Sequence, residues 1–204
     1  MTLHRDGGGA PPGRTVEAEL KAVVRDPAAV RARLRALAGP GRAEVYRDTY
    51  YDLPDGSLAR GDRELRLRTV TGPAGSRTLL TWKDARLDAV SGAKPEAETA
   101  VADPTGAAAV LHGLGYRPAL AFEKHCRNHP LRRDGRELLA TLVEVPELTG
   151  VFLEVETVCG EDELPAALAA VRGVLAELGV PPADLTAEAY TDAVAAARGR
   201  SGGV

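Results

Sequence analysis

The stretch that decides the fold of this chain is Val16-Glu17-Ala18-Glu19-Leu20-Lys21. In a β-strand alternate side chains point to opposite faces, so Glu17, Glu19 and Lys21 would share one face and the apolar residues the other. Neighbours on one face are about 7 Å apart, which crowds two carboxylates unless cations lie between them. Divalent metal ions on the carboxylate oxygens, beside a lysine for phosphate, would relieve that crowding.

Four later stretches repeat the alternation with other charges. Their polar faces carry Glu64, Arg66 and Arg68; Thr81 and Lys83; Glu96 and Glu98; and Phe152, Glu154 and Glu156. For any single strand, an open sheet with one solvated face would explain the pattern. Five strands with clustered charges on one face favour instead a small closed barrel whose lumen has acidic and basic walls.

The composition is that of a soluble globular protein, with 204 residues, 44% hydrophobic and 27% charged. A net charge of −3 produces no strong electrostatic attraction to nucleic acid or to an anionic membrane. No apolar run reaches transmembrane length and no signal pattern begins the chain, so we predict a cytoplasmic protein without nucleic-acid or membrane partners. Cys126 and Cys159, the only cysteines, do not indicate a disulfide scaffold.

The pattern along the chain predicts one domain over residues 15–197, between a disordered leader at 1–14 and a disordered tail at 198–204. Strands are predicted at 16–25, 44–52, 64–71, 77–84, 96–101, 119–128, 137–145 and 150–158. Helices are predicted from Asp26-Pro27 to Gly39, from Asp103 to Gly113, over 162–178 and over 187–197. A mobile connection is expected at 86–95.

These residues resemble the CYTH family, which includes class IV adenylyl cyclases, thiamine triphosphatases and related triphosphate tunnel metalloenzymes. Its signature, Glu-x-Glu-x-Lys in the first strand, is matched by Glu17, Glu19 and Lys21. Seven further blocks follow in the family's order: Asp48–Asp52 with Leu58, Leu65–Arg68, Thr81–Lys83, Glu96–Val101, Leu114–Tyr116, Lys124–Arg127 and Gly150–Glu156. The matches cover about residues 16–192.

The resemblance implies an α+β fold, an eight-stranded antiparallel closed barrel with flanking helices, and a triphosphate-containing small molecule such as ATP in its tunnel. It implies Mg²⁺ or Mn²⁺ as cofactor, and it raises a homodimer as an option. The phosphate-binding candidates are Lys21, Arg66, Arg68, Lys83, Lys124 and Arg127. The metal-binding candidates are Glu17, Glu19, Glu154 and Glu156, with Glu98 and Glu144 as additions. The catalytic candidates are Lys21, Glu19, Arg66 and Lys83.

Two departures from the family pattern bear on these assignments. In Lys124-His125-Cys126-Arg127, strict alternation groups Lys124 with Cys126, so Arg127 reaches the tunnel only through a bulge or register shift. Thiamine triphosphatases use a lysine near the C-terminus, and here no lysine follows Lys124. The Thr186–Asp192 segment, with Tyr190, is more similar to the cyclase branch.

Three functions stay open. The first is cyclisation of ATP to cyclic AMP and pyrophosphate, as in class IV adenylyl cyclases. The second is hydrolysis of an organic or inorganic triphosphate, for example thiamine triphosphate or tripolyphosphate. The third is non-catalytic binding of polyphosphate or nucleotide, and the complete set of four glutamates argues against it. We favour the cyclase narrowly, with hydrolysis as the alternative.

Overall fold

A computed structural model describes residues 15–87 and 93–201 of the chain. Eight antiparallel strands close into a barrel in the order β1-β5-β4-β3-β2-β6-β7-β8. The strands are β1 (Thr15–Val24), β2 (Arg42–Asp52), β3 (Glu64–Gly72), β4 (Gly75–Lys83), β5 (Lys94–Val101), β6 (Arg117–Arg133), β7 (Arg136–Glu144) and β8 (Val151–Gly160). The predicted closed eight-stranded barrel is confirmed. The predicted leader at 1–14, the last three residues, and 88–92 of the predicted connection lie outside the described residues.

The first and last strands complete the barrel. β1 pairs with β8 over its whole length, from Thr15 opposite Gly160 to Val24 opposite Val151, and pairs with β5 at only two positions. The β6–β7 hairpin extends five residues beyond the predicted end of β6. Asp134 and Gly135 both have positive φ, the backbone of a tight two-residue turn, so the two strands stay paired up to that turn.

Five helices flank the barrel. They are α1 (Pro27–Ala38), α2 (Ser57–Arg60), α3 (Pro104–Gly113), α4 (Leu164–Glu177) and α5 (Tyr190–Ser201). Asp26 and Asp103 cap α1 and α3 by accepting backbone N–H bonds, with proline following each cap, as the sequence predicts. The short α2 was not predicted. α5 runs four residues past its predicted end, into the predicted tail. No helix among the described residues is long and apolar enough to span a membrane.

The outer face of the barrel holds two apolar clusters. Helices α1 and α4 pack on β1, β7 and β8 through side chains such as Leu34, Leu153 and Val171, all fully buried. Leu58 and Leu111, from α2 and α3, pack on β3 and β4, where Trp82 lies in the outer layer as expected. Burying each large aliphatic side chain contributes about 1.5 to 3 kcal/mol. On these strands most apolar side chains therefore pack outside the barrel, which leaves the charged side chains for the lumen.

A third apolar cluster lies against the lumen. Phe122 and Cys126 lie on either side of Lys124 on the inward face of β6. They pack with Val143 and with Tyr190 and Val194 of α5. α5 follows the last strand in the chain, and its residues Tyr190 and Val194 are buried. The lumen therefore has an apolar side, covered by α5, in addition to its charged side.

Candidate metal and triphosphate site

Three glutamates from the two ends of the chain meet in the lumen. Glu17 and Glu19 come from β1, and Glu156 lies opposite Glu19 on β8. One carboxylate oxygen of each lies within 4.8 Å of the others. The alternation of β1 and the β1–β8 register bring them together, because both strands turn their polar faces inward at the same level.

The electrostatics of these three carboxyls are those of crowded buried acids. Burial raises the pKa of Glu19 to about 7, and the charges of Glu154 and Glu17 add to this rise. The pKa of Glu156 lies well above its usual range, because of burial and then the charges of Glu17 and Glu19. Burial would also raise the pKa of Glu17, but Lys83 outweighs it and lowers that pKa.

The donor set fits a hard divalent cation. Carboxylate oxygens are the ligands that Mg²⁺ prefers, and two oxygens on opposite sides of one Mg²⁺ lie about 4 Å apart. Oxygens within 4.8 Å of one another can converge on one ion through small rotations. A cation at this point would take the place of the protons that Glu19 and Glu156 retain, and would remove the repulsion between their charges.

A basic wall faces the glutamates. Lys83 is buried and forms salt bridges with Glu17 and, at 3.2 Å, with Glu96. Arg66 is also buried; one guanidinium nitrogen donates to Thr81 Oγ1 at 3.4 Å, while its Nε has no hydrogen-bond partner within the described chain. A buried guanidinium N–H without an acceptor is costly to leave unpaired, so it indicates a place for an anionic oxygen.

Two more lysines complete this wall on the side of α5. Lys124 is buried, with its Nζ 3.8 Å from a carboxylate oxygen of Glu154. The Nζ of Lys21 donates to the backbone carbonyl of Glu188, just before α5. The chain has only four lysines, and all four, including Lys94, line one cavity. Its 22 arginines supply the remaining cationic side chains, so compact ammonium groups are confined to the lumen.

The cavity has a volume of about 680 Å³, within the usual range for small-molecule sites. Its charged side includes Glu19, Glu154, Arg66 and the four lysines. Its apolar side includes Tyr50, Leu120, Ala189, Tyr190 and Ala195. The arrangement suits a ligand with several negative charges at one end and an organic group at the other.

Arg68, predicted to bind phosphate, is already paired. Its guanidinium donates to both carboxylate oxygens of Asp48, at 2.6 and 2.7 Å, and lies over the ring of Tyr46. Burial would raise the pKa of Asp48, but the bidentate pairing with Arg68 lowers it. Asp48 therefore neutralises Arg68, and Arg66 is the guanidinium with free donor capacity.

Two predicted site residues do not reach the lumen. Arg127 donates to the Pro40 carbonyl on the outside of the barrel at 3.2 Å. The register shift between β2 and β6 occurs at Tyr50 and Tyr51, so alternation around Arg127 is unbroken and the position predicted for it in the tunnel is wrong. Glu144 is also on the outer face, where Arg31 of α1 lies 3.5 Å away. It is not part of the acidic cluster.

Glu98 shares the inward face of β5 but lies away from the three-glutamate cluster. It is an exposed residue that accepts a hydrogen bond from Thr81 at 2.9 Å. Its neighbour two residues earlier, Glu96, contacts Lys83 instead. Alternation fixes the face of a residue and not its depth in the barrel, so the metal-binding role of Glu98 stays a prediction.

Two other residues of the cavity were missed. Lys94 is buried and donates to Glu64 at 2.8 Å and to the Asp62 carbonyl at 2.9 Å. Glu64 was placed on the same face as Arg66 by its spacing, and that spacing was the available signal. Lys94 lies directly opposite Glu17 in the β1–β5 pairing, a register that a single strand cannot reveal.

The barrel and its lumen define a class of protein that binds a polyanion between acidic and basic walls. A family model for the CYTH domain matches residues 15–190, and the chain belongs to the CYTH family. This confirms the resemblance drawn from the motifs. A comparison with curated proteins finds no match.

Several solved structures share the fold. The PH1819 protein of Pyrococcus horikoshii is 26% identical, with a TM-score of 0.74, covering 88% of this chain and 98% of that one. A candidate adenylate cyclase of Vibrio parahaemolyticus is 20% identical, with a TM-score of 0.76, covering 90% and 99%. A candidate adenylyl cyclase of Hippeastrum, described as having a dominant triphosphatase activity, is 18% identical, with a TM-score of 0.59, covering 93% and 97%.

Proposed function

We propose that this protein is a metal-dependent enzyme acting on a triphosphate in the barrel lumen, most similar to a class IV adenylyl cyclase. The observation that carries the proposal is the meeting of Glu17, Glu19 and Glu156 opposite the buried cations Arg66 and Lys83. Phosphoryl chemistry requires mainly positioning and neutralisation of charge, and these two walls provide both.

Each wall would have its own role. Glu17, Glu19 and Glu156 would hold Mg²⁺ or Mn²⁺, which supplies Lewis-acid neutralisation of phosphate oxygens when bound. Arg66 would bind two phosphate oxygens through its planar fork, and Lys83 would provide a point charge beside it. The closed barrel excludes bulk water from these groups, which strengthens every electrostatic contact within it.

Lys21 and Lys124 would bind the phosphates nearer α5. In cyclisation of ATP, the ribose 3′-oxygen bonds to the α-phosphorus while the bond to the pyrophosphate oxygen breaks, so negative charge grows on the departing pyrophosphate. The four lysines and Arg66 around this cavity are suited to stabilise that charge. Glu154, 3.8 Å from Lys124, would stay available to the metal as a fourth carboxylate.

Hydrolysis of a triphosphate is the second candidate. The triphosphatase activity described for the similar Hippeastrum protein supports it, because the same lumen would serve both reactions. The apolar side of the cavity, with Tyr50 and Leu120, favours an organic triphosphate over inorganic tripolyphosphate, since the inorganic ion has nothing to place against these side chains.

Product analysis tests both candidates. The purified protein would be incubated with ATP, thiamine triphosphate or tripolyphosphate and either Mg²⁺ or Mn²⁺. We expect cyclic AMP and pyrophosphate from ATP; inorganic phosphate as the main product would replace the cyclase with the hydrolase. The matched variants are Glu19→Gln, expected inactive, and Arg127→Ala, expected active because Arg127 lies outside the barrel.

If no substrate is consumed but one binds, the enzymatic proposal fails and the polyphosphate-binding function takes its place. The homodimer, the cytoplasmic location and the absence of nucleic-acid partners stay predictions. Gel filtration with light scattering would test the homodimer.

A further inference from the structure

Tyr190, the first residue of α5, brings together two lysines from opposite sides of the lumen. The Nζ atoms of Lys21 and Lys124 lie 4.2 and 4.3 Å from the centre of its ring. Lys21 belongs to β1 and Lys124 to β6, which are not neighbours in the barrel. A single aromatic ring from a helix therefore contacts two cations that the strands alone would not join.

The ring is itself fixed. Phe152 of β8 packs edge-on against it, with the ring centroids 5.3 Å apart and the planes at 90°. Tyr190 is only 6% exposed and lines the cavity. The position of α5 is fixed further by Lys21, whose Nζ also donates to the Glu188 carbonyl, and by Thr186, whose N–H donates to the Lys21 carbonyl at 2.9 Å.

The contact has a physical function that packing alone does not need. Two ammonium groups that contact one ring repel each other, and the Glu154 carboxylate, 3.8 Å from Lys124 Nζ, offsets part of that repulsion. An aromatic face attracts both cations through the negative charge density of its ring. It also restricts two flexible side chains, which would otherwise lose rotamer freedom when they bind an anion.

We propose that Tyr190 is the positioning residue of Lys21 and Lys124: its ring holds both ammonium groups toward the cavity for the phosphates of the ligand. The inference rests on the proposed function for the identity of the ligand, but the geometry of the lysines can be measured without any ligand. The Tyr190 hydroxyl is buried without a well-formed hydrogen bond. The ring rather than the hydroxyl is therefore the part expected to matter to the lysines.

The first test is spectroscopic. Lysine labelled with ¹³C at the ε position gives four signals from this chain, one for each lysine. We expect the Lys21 and Lys124 signals to be shifted upfield by the ring current of Tyr190, and Lys83 and Lys94 to serve as internal references. The shifts should persist in Tyr190→Phe and disappear in Tyr190→Leu. Four unshifted signals in the unmodified protein would overturn the proposal.

The second test is binding of inorganic tripolyphosphate, measured by calorimetry without divalent metal so that no turnover occurs. Tyr190→Leu should weaken binding roughly tenfold, and Tyr190→Phe should stay within about twofold of the unmodified protein. Val194→Ala is the matched control, because Val194 is fully buried in the same helix and its truncation loosens packing without removing the ring.

The outcomes separate the two proposals. Equal weakening in Val194→Ala and Tyr190→Leu would assign the effect to docking of α5 and would reject the role of the ring. Unchanged binding in Tyr190→Leu would reject it as well. If the unmodified protein does not bind tripolyphosphate without metal, the role of the two lysines in binding phosphate is rejected, while product analysis still tests the proposed function and the lysine signals still decide whether Tyr190 positions the two cations.

Discussion

Two groups of buried charges inside the same barrel differ in how they are satisfied. Asp48 and Arg68 form a bidentate pair, and Glu44 on β2 accepts hydrogen bonds from Arg77 and Asn128. The three glutamates of the acidic cluster face one another instead. The first group holds opposite charges in contact, whereas the second places the carboxyls of Glu19 and Glu156 beside Glu17, which is paired with Lys83.

The pKa shifts express this difference. Pairing with Arg68 lowers the pKa of Asp48 despite its burial, so its charge is stabilised by the fold. Burial and like charges raise the pKa of Glu19, so its charge is destabilised by the fold. A satisfied buried pair maintains the structure, whereas crowded carboxylates hold unfavourable free energy that a bound cation releases. The contrast makes the acidic cluster the candidate ligand site without reference to any relative.

The largest effect on stability should come from breaking the paired group. Asp48→Asn leaves the Arg68 guanidinium buried without its counter-charge, and we expect the free energy of unfolding to fall by about 3 to 5 kcal/mol. Urea denaturation followed by circular dichroism would measure this. The double variant Asp48→Asn with Arg68→Met should recover part of the lost free energy of unfolding. If the double variant is as unstable as Asp48→Asn alone, the pairing of Asp48 with Arg68 does not explain the loss.

Changing the crowded group should affect turnover rather than stability. Glu19→Gln removes one metal ligand and one of the repelling charges, so we expect turnover to fall at least a hundredfold, about 2.7 kcal/mol. The free energy of unfolding without metal should stay the same or increase. If Glu19→Gln keeps its activity, or unfolds more easily than the unmodified protein, Glu19 is a structural residue, as Asp48 is, and not a metal ligand.

The pH dependence of metal binding gives a finer test. Because the pKa of Glu19 is raised to about 7, the folded protein holds a proton there that the unfolded chain has already released. Without metal, this carboxyl therefore lowers the stability as pH rises from about 4.5 to 7. Mn²⁺ affinity should rise with pH, and the proton of Glu19 should contribute up to about tenfold per pH unit below pH 7. Calorimetry on wild type and Glu19→Gln would show whether this slope belongs to Glu19.

The smallest effects should come from the charges outside the barrel. Arg127→Ala and Glu144→Ala should each change the free energy of unfolding by less than about 0.5 kcal/mol, because both lie on the outer surface. Neither should alter tripolyphosphate affinity, whereas Arg66→Ala should weaken it clearly. If Arg127→Ala binds tripolyphosphate more weakly, the Arg127 guanidinium contacts the ligand in the lumen after all.

Much of this fold could be predicted because a strand alternates its side chains with a period of two. That period assigned Glu17, Glu19 and Lys21 to one face before any register was known. It could not predict depth, so it did not show that Glu96 contacts Lys83 while Glu98 lies further from the cluster. The pairing of Asp48 with Arg68 depends on the β2–β3 register, which requires the folded barrel. Arg127 was misplaced because the family's spacing was followed where the local alternation opposed it.

The seam between the first and last strands also has a consequence for biosynthesis. Glu17 and Glu19 leave the ribosome early, whereas Glu156 emerges only when most of the chain has been made. The cluster that they form cannot exist on a nascent chain until β8 has docked beside β1. If the cluster binds a divalent ion as proposed, metal binding would therefore report closure of the barrel, which is the strand pairing with the longest sequence separation in this fold.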